Sequence, residues 1–192
     1  MKSIIVTGGA GFIGSNIVKY LYSLGKNYTI HIFDNLSTGR VENILIDKNI
    51  IFHEIDLRSN ISQWPQINAI EIYHFAANAD VRGGESNRNI DLEQNLLVTK
   101  SVCDYAVFNK IKKLIFASSA TVYGEPKIFP TPEETSASQT SVYGASKLAA
   151  ESFIQAYSEY GEFESYIFRF VSWTGIGYSH GVIYDFVNKL LK

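Results

Sequence analysis

Cysteine is almost missing: Cys103 is the only one among 192 residues. One thiol excludes an internal disulfide and, beside only four histidines, leaves no structural zinc set. Cys103 lies in an apolar helical stretch and reads as core packing, so no metal is expected. Long hydrophobic runs are absent too. None approaches the roughly 18 residues of a membrane-crossing helix, so no transmembrane helix is expected, and no membrane partner is expected. Charge of one sign is lacking: 17 Lys and Arg oppose 19 Asp and Glu, and no basic block occurs. Nucleic acid is therefore not expected as a partner. Repeats and low-complexity tracts are absent. Met1 leads directly into an apolar strand with no room for a signal peptide, so a cytoplasmic location is expected. Apolar residues are plentiful, at 46 % of the chain, which is ample for a core and excludes disorder. The length fits one domain, or one domain and a fragment of another.

The most informative stretch is Ser3–Ser15. Ile4-Ile5-Val6 reads as a buried strand, Gly8, Gly11 and Gly14 as a turn, and Phe12, Ile13, Ile17, Val18, Leu21 and Leu24 as the apolar face of a helix. Strand, glycine turn and helix in that order form a dinucleotide-binding turn. Glycine lets the backbone approach a pyrophosphate, and free N–H groups at the helix start attract its charge. A tight turn alone gives the same letters. Asp34 argues against that plainer reading. It ends the apolar run Tyr28–Phe33, where an acid bonds the adenosine ribose hydroxyls. An acid there repels a 2′-phosphate and favours NAD over NADP. Arg40 is a mild counter-signal and reads better as a solvated loop charge.

Strands are expected at Ile50–Ile55, Ala69–Phe75, Leu114–Ala117 and Glu164–Phe170. Helices are expected at Asp91–Phe108, with Leu92, Leu96, Val98, Val102, Tyr105 and Ala106 as apolar positions, at Ser141–Glu159, and from Val182. The alternation predicts an α/β fold, a Rossmann-type doubly wound parallel sheet flanked by helices, with ligands at the carboxyl ends of its strands. Gly8, Asp34, Asp56, Ala76 and Ser118 all fall there. Asp56 and Leu57 suit the adenine, and Asn95 faces either the cofactor or solvent, the cofactor being the preferred reading.

Tyr143 and Lys147 stand four apart and share one helix face. A phenol serves as a base at neutral pH only when its pKa falls by roughly three units, about 4 kcal/mol. A nearby lysine and a positive nicotinamide ring together work in that direction in a site shielded from water. Ser118-Ser119 follows a strand and offers a hydroxyl to a substrate oxygen. Alone, a Tyr-x-x-x-Lys pair is as readily a surface pair. Tyr123 reads as structural or pocket-lining, His74 as a packing histidine, and His180 as either a polar site residue or a solvated loop group.

The segments Thr7–Ser15, Asp34–Gly39, His74–Ala77, Ser118–Gly124 and Tyr143–Lys147 together resemble the extended short-chain dehydrogenase/reductase family, within it the NAD-dependent epimerase/dehydratase group. The resemblance runs from residue 1 to about 185. It implies NAD as cofactor, held by Gly8, Gly11, Phe12, Ile13, Gly14, Asp34, Asn35, Ser37, Thr38, Gly39, Asp56, Leu57, Phe75, Ala76, Ala77, Asn95, Ser118, Tyr143, Lys147 and Phe170. It implies a nucleotide-sugar 4-epimerase acting on a UDP-linked sugar. Tyr143 would take the proton of the 4-hydroxyl as hydride leaves C4, Lys147 would hold the nicotinamide ribose, and Ser119 would bond the reacting oxygen. It also implies a homodimer through helices 91–108 and 141–159. The acid pair of family dehydratases is missing from Ala120-Thr121-Val122, which argues against dehydration. Ser172 replaces a frequent asparagine. Family members usually run longer, so residues 1–175 are expected to be the NAD-binding domain and 176–192 the start of a truncated substrate lobe. A reductase or dehydrogenase on the same scaffold, and a non-catalytic NAD-binding protein, remain open alternatives.

Overall fold

The structure is a computed structural model, and it describes residues 2–25, 27–81, 86–135, 138–178 and 182–191. Six parallel strands form one sheet: β1 (Lys2–Thr7), β2 (Tyr28–Asp34), β3 (Ile50–Glu54), β4 (Ala69–His74), β5 (Lys113–Ser119) and β6 (Glu164–Phe170), in the order β3-β2-β1-β4-β5-β6. The order reverses between β1 and β4. A doubly wound sheet opens its ligand crevice at that point.

Strand period explains the two cores. Ile4 and Val6 face one side with Ile30 and Ile32, where α1 (Phe12–Ser23) lays down Val18 and Leu21. Leu24, expected on that apolar face, instead caps the helix and is 42 % exposed. Ile5, Phe33 and Ile72 face the other side and meet Val102, Ala106, Ala150 and Ile154. The last four come from α2 (residues 88–108) and α3 (Val142–Glu159). Cys103 is buried in this second core. A short helix, α4 (Val182–Leu190), ends the described chain.

Helix α2 departs from expectation. It begins at Arg88 rather than Asp91, and Leu92–Leu97 widens into π turns before Val98–Phe108 resumes the α form. The wider turns rotate Leu92 and Leu97 outward, to 46 % and 50 % exposure, and turn Asp91 and Asn95 inward. Leu92 is therefore not a core position. Strand β5 is longer than expected and carries Ser118 and Ser119 as its last residues. No helix among the described residues is long and apolar enough to cross a membrane.

Candidate active site

A cleft of about 930 Å³ runs along the carboxyl ends of the strands. Its floor is the turn after β1. Gly8 takes φ +67°, and a Cβ there would lie 2.6 Å from Ala76 N. At Gly14 a Cβ would fall 2.2 Å from Gly8 O. Only glycine lets α1 start this close to the strand. Asp34 is buried at the end of β2, where its carboxylate accepts from Ala10 N at 3.0 Å and Leu36 N at 2.9 Å. Arg40 N and Asn43 Nδ2 both donate to Ala10 O, at 3.1 and 2.8 Å. The loop after β2 is thereby tied to the glycine turn. Asp56 is gripped by the Arg58 guanidinium, which holds its carboxyl below the usual range.

The opposite wall carries the reactive groups. Ser141 caps α3 by accepting from Gly144 N at 3.0 Å, which places Tyr143 in the first turn and Lys147 in the second. Lys147 is buried. Its Nζ donates to Ala117 O at 3.1 Å and sits 4.8 Å from the centre of the Phe116 ring. Burial lowers its pKa to about 8, against the raising influence of Asp91 and Glu151. Burial raises the Tyr143 phenol above its ordinary value, the Ser119 hydroxyl pulls it back, and Asp91 raises it further. Without a bound cofactor the net shift of the phenol is upward. Ser119 also accepts from Thr121 N at 3.2 Å and Thr121 Oγ1 at 3.0 Å, which fixes its rotamer.

Behind this wall stands a pairing the sequence reading missed. Arg169 of β6 clamps Glu151 of α3 with Nη2–Oε2 at 2.8 Å, and Ser118 Oγ donates to Glu151 Oε1. Arg169 also donates to Glu133 O at 2.7 Å and lies over the Tyr123 ring. Tyr123 is thus a platform for Arg169 and does not line the cleft. His74 packs between Thr7 and Thr99, with ring nitrogens 2.7 and 3.0 Å from their hydroxyls. Thr99 already donates to Asn95 O, so Nε2 carries the His74 proton and Nδ1 accepts from Thr7.

The cleft brings together Gly8, Gly11, Phe12, Ile13, Gly14, Asp34, Asn35, Ser37, Thr38, Gly39, Asp56, Leu57, Phe75, Ala76, Ala77, Ser118, Ser119, Tyr143, Lys147 and Phe170. Asn95 is the exception. It is buried beneath α3, where its amide donates to Ser146 Oγ at 2.9 Å and Asp91 Oδ1 at 3.2 Å. The π turns carry it away from the cleft. Arg40, read as a solvated loop charge, is exposed but does line the cleft, as do Arg58, Gln94 and Trp173. Trp173 packs edge-on against Phe170 at 4.4 Å, a neighbour three residues away that an aromatic pattern could have suggested. Gly83, Gly84 and His180 lie outside the described residues.

Glycine turn, strand-end acid and switch-point cleft define a dinucleotide-binding α/β domain. The profile of the NAD dependent epimerase/dehydratase family matches residues 4–192, and the chain belongs to that family. A UDP-glucose 4-epimerase of Dictyostelium discoideum is 38 % identical over 164 residues, covering 79 % of this chain and 46 % of that protein. One of Bacillus subtilis is 37 % identical over 164 residues, covering 80 % and 47 %. Among solved structures, a UDP-galactose 4-epimerase superposes with a TM-score of 0.88 at 38 % identity, covering 98 % of this chain and 62 % of its own. A Thermus thermophilus UDP-glucose 4-epimerase in complex with NAD gives 0.79 at 32 % identity, covering 87 % and 54 %. The chain spans about half the length of the curated relatives named here.

Proposed function

We propose that this chain is the NAD-binding part of a nucleotide-sugar 4-epimerase acting on UDP-linked glucose and galactose. The observation that carries this reading is one cleft lined by the glycine turn and Asp34 on one side and by Ser119, Tyr143 and Lys147 on the other. The residues fit NAD: Gly8 and Gly14 leave the space a pyrophosphate needs, and the Asp34 carboxylate lies at the strand end where ribose hydroxyls bond it. Gly11, Phe12 and Ile13 would line the pyrophosphate. Asn35, Ser37, Thr38 and Gly39 would surround the adenosine, and Asp56 and Leu57 would border the adenine. Phe75, Ala76, Ala77, Ser118, Lys147 and Phe170 would border the nicotinamide end.

When bound, NAD accepts and returns a hydride. The protein's own part is proton handling and orientation. Ser119 donates to the sugar O4. Tyr143 takes the O4 proton and later gives it back. Lys147 holds the ribose and, as a buried cation beside the phenol, favours the phenolate. Burial holds the Tyr143 pKa above its ordinary value, and a positive nicotinamide ring, when bound, would work with Lys147 to lower it. Residues 1–175 act as the NAD-binding domain and 176–192 belong to the substrate lobe. Helices α2 and α3 pair with a second copy, and the protein works in the cytoplasm.

The test is to add NAD and UDP-galactose to the purified protein and separate the products by chromatography. UDP-glucose formed without net NAD consumption supports the reading. Net oxidation or reduction of NAD would replace it with a dehydrogenase.

A further inference from the structure

Asp91 has a burial that the cleft chemistry alone does not explain. Its side chain is 0 % exposed at the end of the first turn of α2. Oδ1 accepts from Asn78 Nδ2 at 2.8 Å and from Asn95 Nδ2 at 3.2 Å. Oδ2 is buried and accepts no hydrogen bond among the described residues. No basic side chain there forms a direct ion pair with it; the positive charge it acts on is the buried Lys147 ammonium. The same Asn95 amide reaches Ser146 Oγ at 2.9 Å, and Ser146 precedes Lys147 on α3. Helix α2 thus sets this carboxylate, linked through Asn95 to the residue before Lys147, near enough to that buried cation to raise its pKa, while the cation's own direct contacts are a carbonyl and an aromatic ring.

We propose that Asp91 is a positioning residue whose buried charge sets how many protons the Tyr143–Lys147 pair holds. The proposal rests on the reading of that pair as the proton-handling groups. Of the other ionisable groups around the pair, only Glu151 adds negative charge, at Lys147 and not at Tyr143. His74 on β4 is neutral, because its Nδ1 is an acceptor from Thr7. Glu151, on α3 itself, is matched by Arg169 of β6 at 2.8 Å. Asp91 acts on both members in the same direction. It favours the Lys147 ammonium and disfavours the Tyr143 phenolate, so it holds protons on the pair. Two coupled groups titrate as a unit, and removing the anion moves both steps to lower pH. In this arrangement Asp91 holds the pair in its protonated form and opposes ionisation of Tyr143.

The test needs neither NAD nor sugar, so it stands apart from the epimerase assay. Tyrosine labelled with ¹³C at Cζ reports the phenol, and Tyr143→Phe identifies its signal among the 12 tyrosines. In Asp91→Asn the midpoint of this signal should fall by about one pH unit. Asp91→Glu, which keeps the charge, should hold the midpoint at the wild-type value. Glu151→Gln should move it less than Asp91→Asn, because Arg169 already offsets Glu151. If Asp91→Asn does not fold, Asp91→Ser serves as the neutral variant. A midpoint unchanged in a folded neutral variant overturns the proposal, whatever the chain does with UDP-sugars. An Asp91→Glu midpoint equal to that of Asp91→Asn overturns it too, since packing rather than charge would then be responsible.

Discussion

Truncating Glu151 to alanine tests whether the wall behind the reactive pair is held by its charge cluster. Glu151 is almost fully buried, with 2 % of its side chain exposed, and Arg169 retains 23 %. Removing the carboxylate takes three guanidinium contacts from Arg169, at 2.8 to 3.2 Å, and strands the Ser118 hydroxyl. Breaking a buried pair from one side costs roughly 3–5 kcal/mol. Arg169 keeps its bond to Glu133 O and some access to water, so the low end, about 3 kcal/mol, applies. For a chain of this length that lowers Tm by roughly 6–12 °C. Glu151→Gln still accepts from Ser118 and should cost only about 1–2 kcal/mol. The double variant Glu151→Met with Arg169→Leu removes both charges and should lie within about 1 kcal/mol of the parent. Urea unfolding followed by circular dichroism gives all three values. A loss below about 1 kcal/mol for Glu151→Ala, or a double variant as weak as the single, would refute the argument.

Other outcomes follow from the same geometry. Tyr143→Phe should retain NAD, measured by calorimetry, yet form no product from UDP-galactose; loss of cofactor binding would reassign the phenol. Asp34→Ala should narrow the preference for NAD over NADP by about tenfold, since one carboxylate facing a phosphate is worth about 1.4 kcal/mol or more. Unchanged discrimination in that variant would mean that another residue reads the ribose. His74 has its pKa lowered from 6.5 to about 3 by burial, with the Lys147 charge adding to the effect. Its folded value lies below the unfolded one, so its contribution to stability is complete above pH 6.5 and falls as pH drops toward 3. Parent protein should therefore lose about 1 kcal/mol more than His74→Asn between pH 6 and pH 5. Parallel pH profiles for the two would contradict the burial of a neutral imidazole.

The parts legible in the sequence are those governed by neighbours in the chain. Ile4 to Phe12 announces strand, turn and helix through local composition alone, and Tyr143 with Lys147 needs only helical period to share a face. Asp34 is legible because its position at a strand end is counted from the glycine turn. What escaped depends on contacts between distant elements. The π turns at Leu92–Leu97 leave an ordinary helical pattern of letters. Their inward rotation is registered only by the Asn95 bond to Ser146, 51 residues away. Asn95 was therefore assigned to the cleft when it belongs beneath α3. Glu151 and Arg169 are 18 residues apart on a helix and a strand, and no spacing rule joins them. The influence of Asp91 on Tyr143 escaped for a related reason. Spacing shows the lysine beside the phenol but not the carboxylate from α2.

The central claim is transient oxidation at the sugar C4 with the removed hydrogen returned to the same carbon. UDP-galactose carrying deuterium at C4 tests it most directly, with the protein supplied with NAD and the product read by mass spectrometry and proton NMR. The account predicts UDP-glucose that keeps its deuterium at C4 in water. Product that has exchanged the label for solvent hydrogen would contradict it, as would failure to interconvert UDP-sugars epimeric at C4.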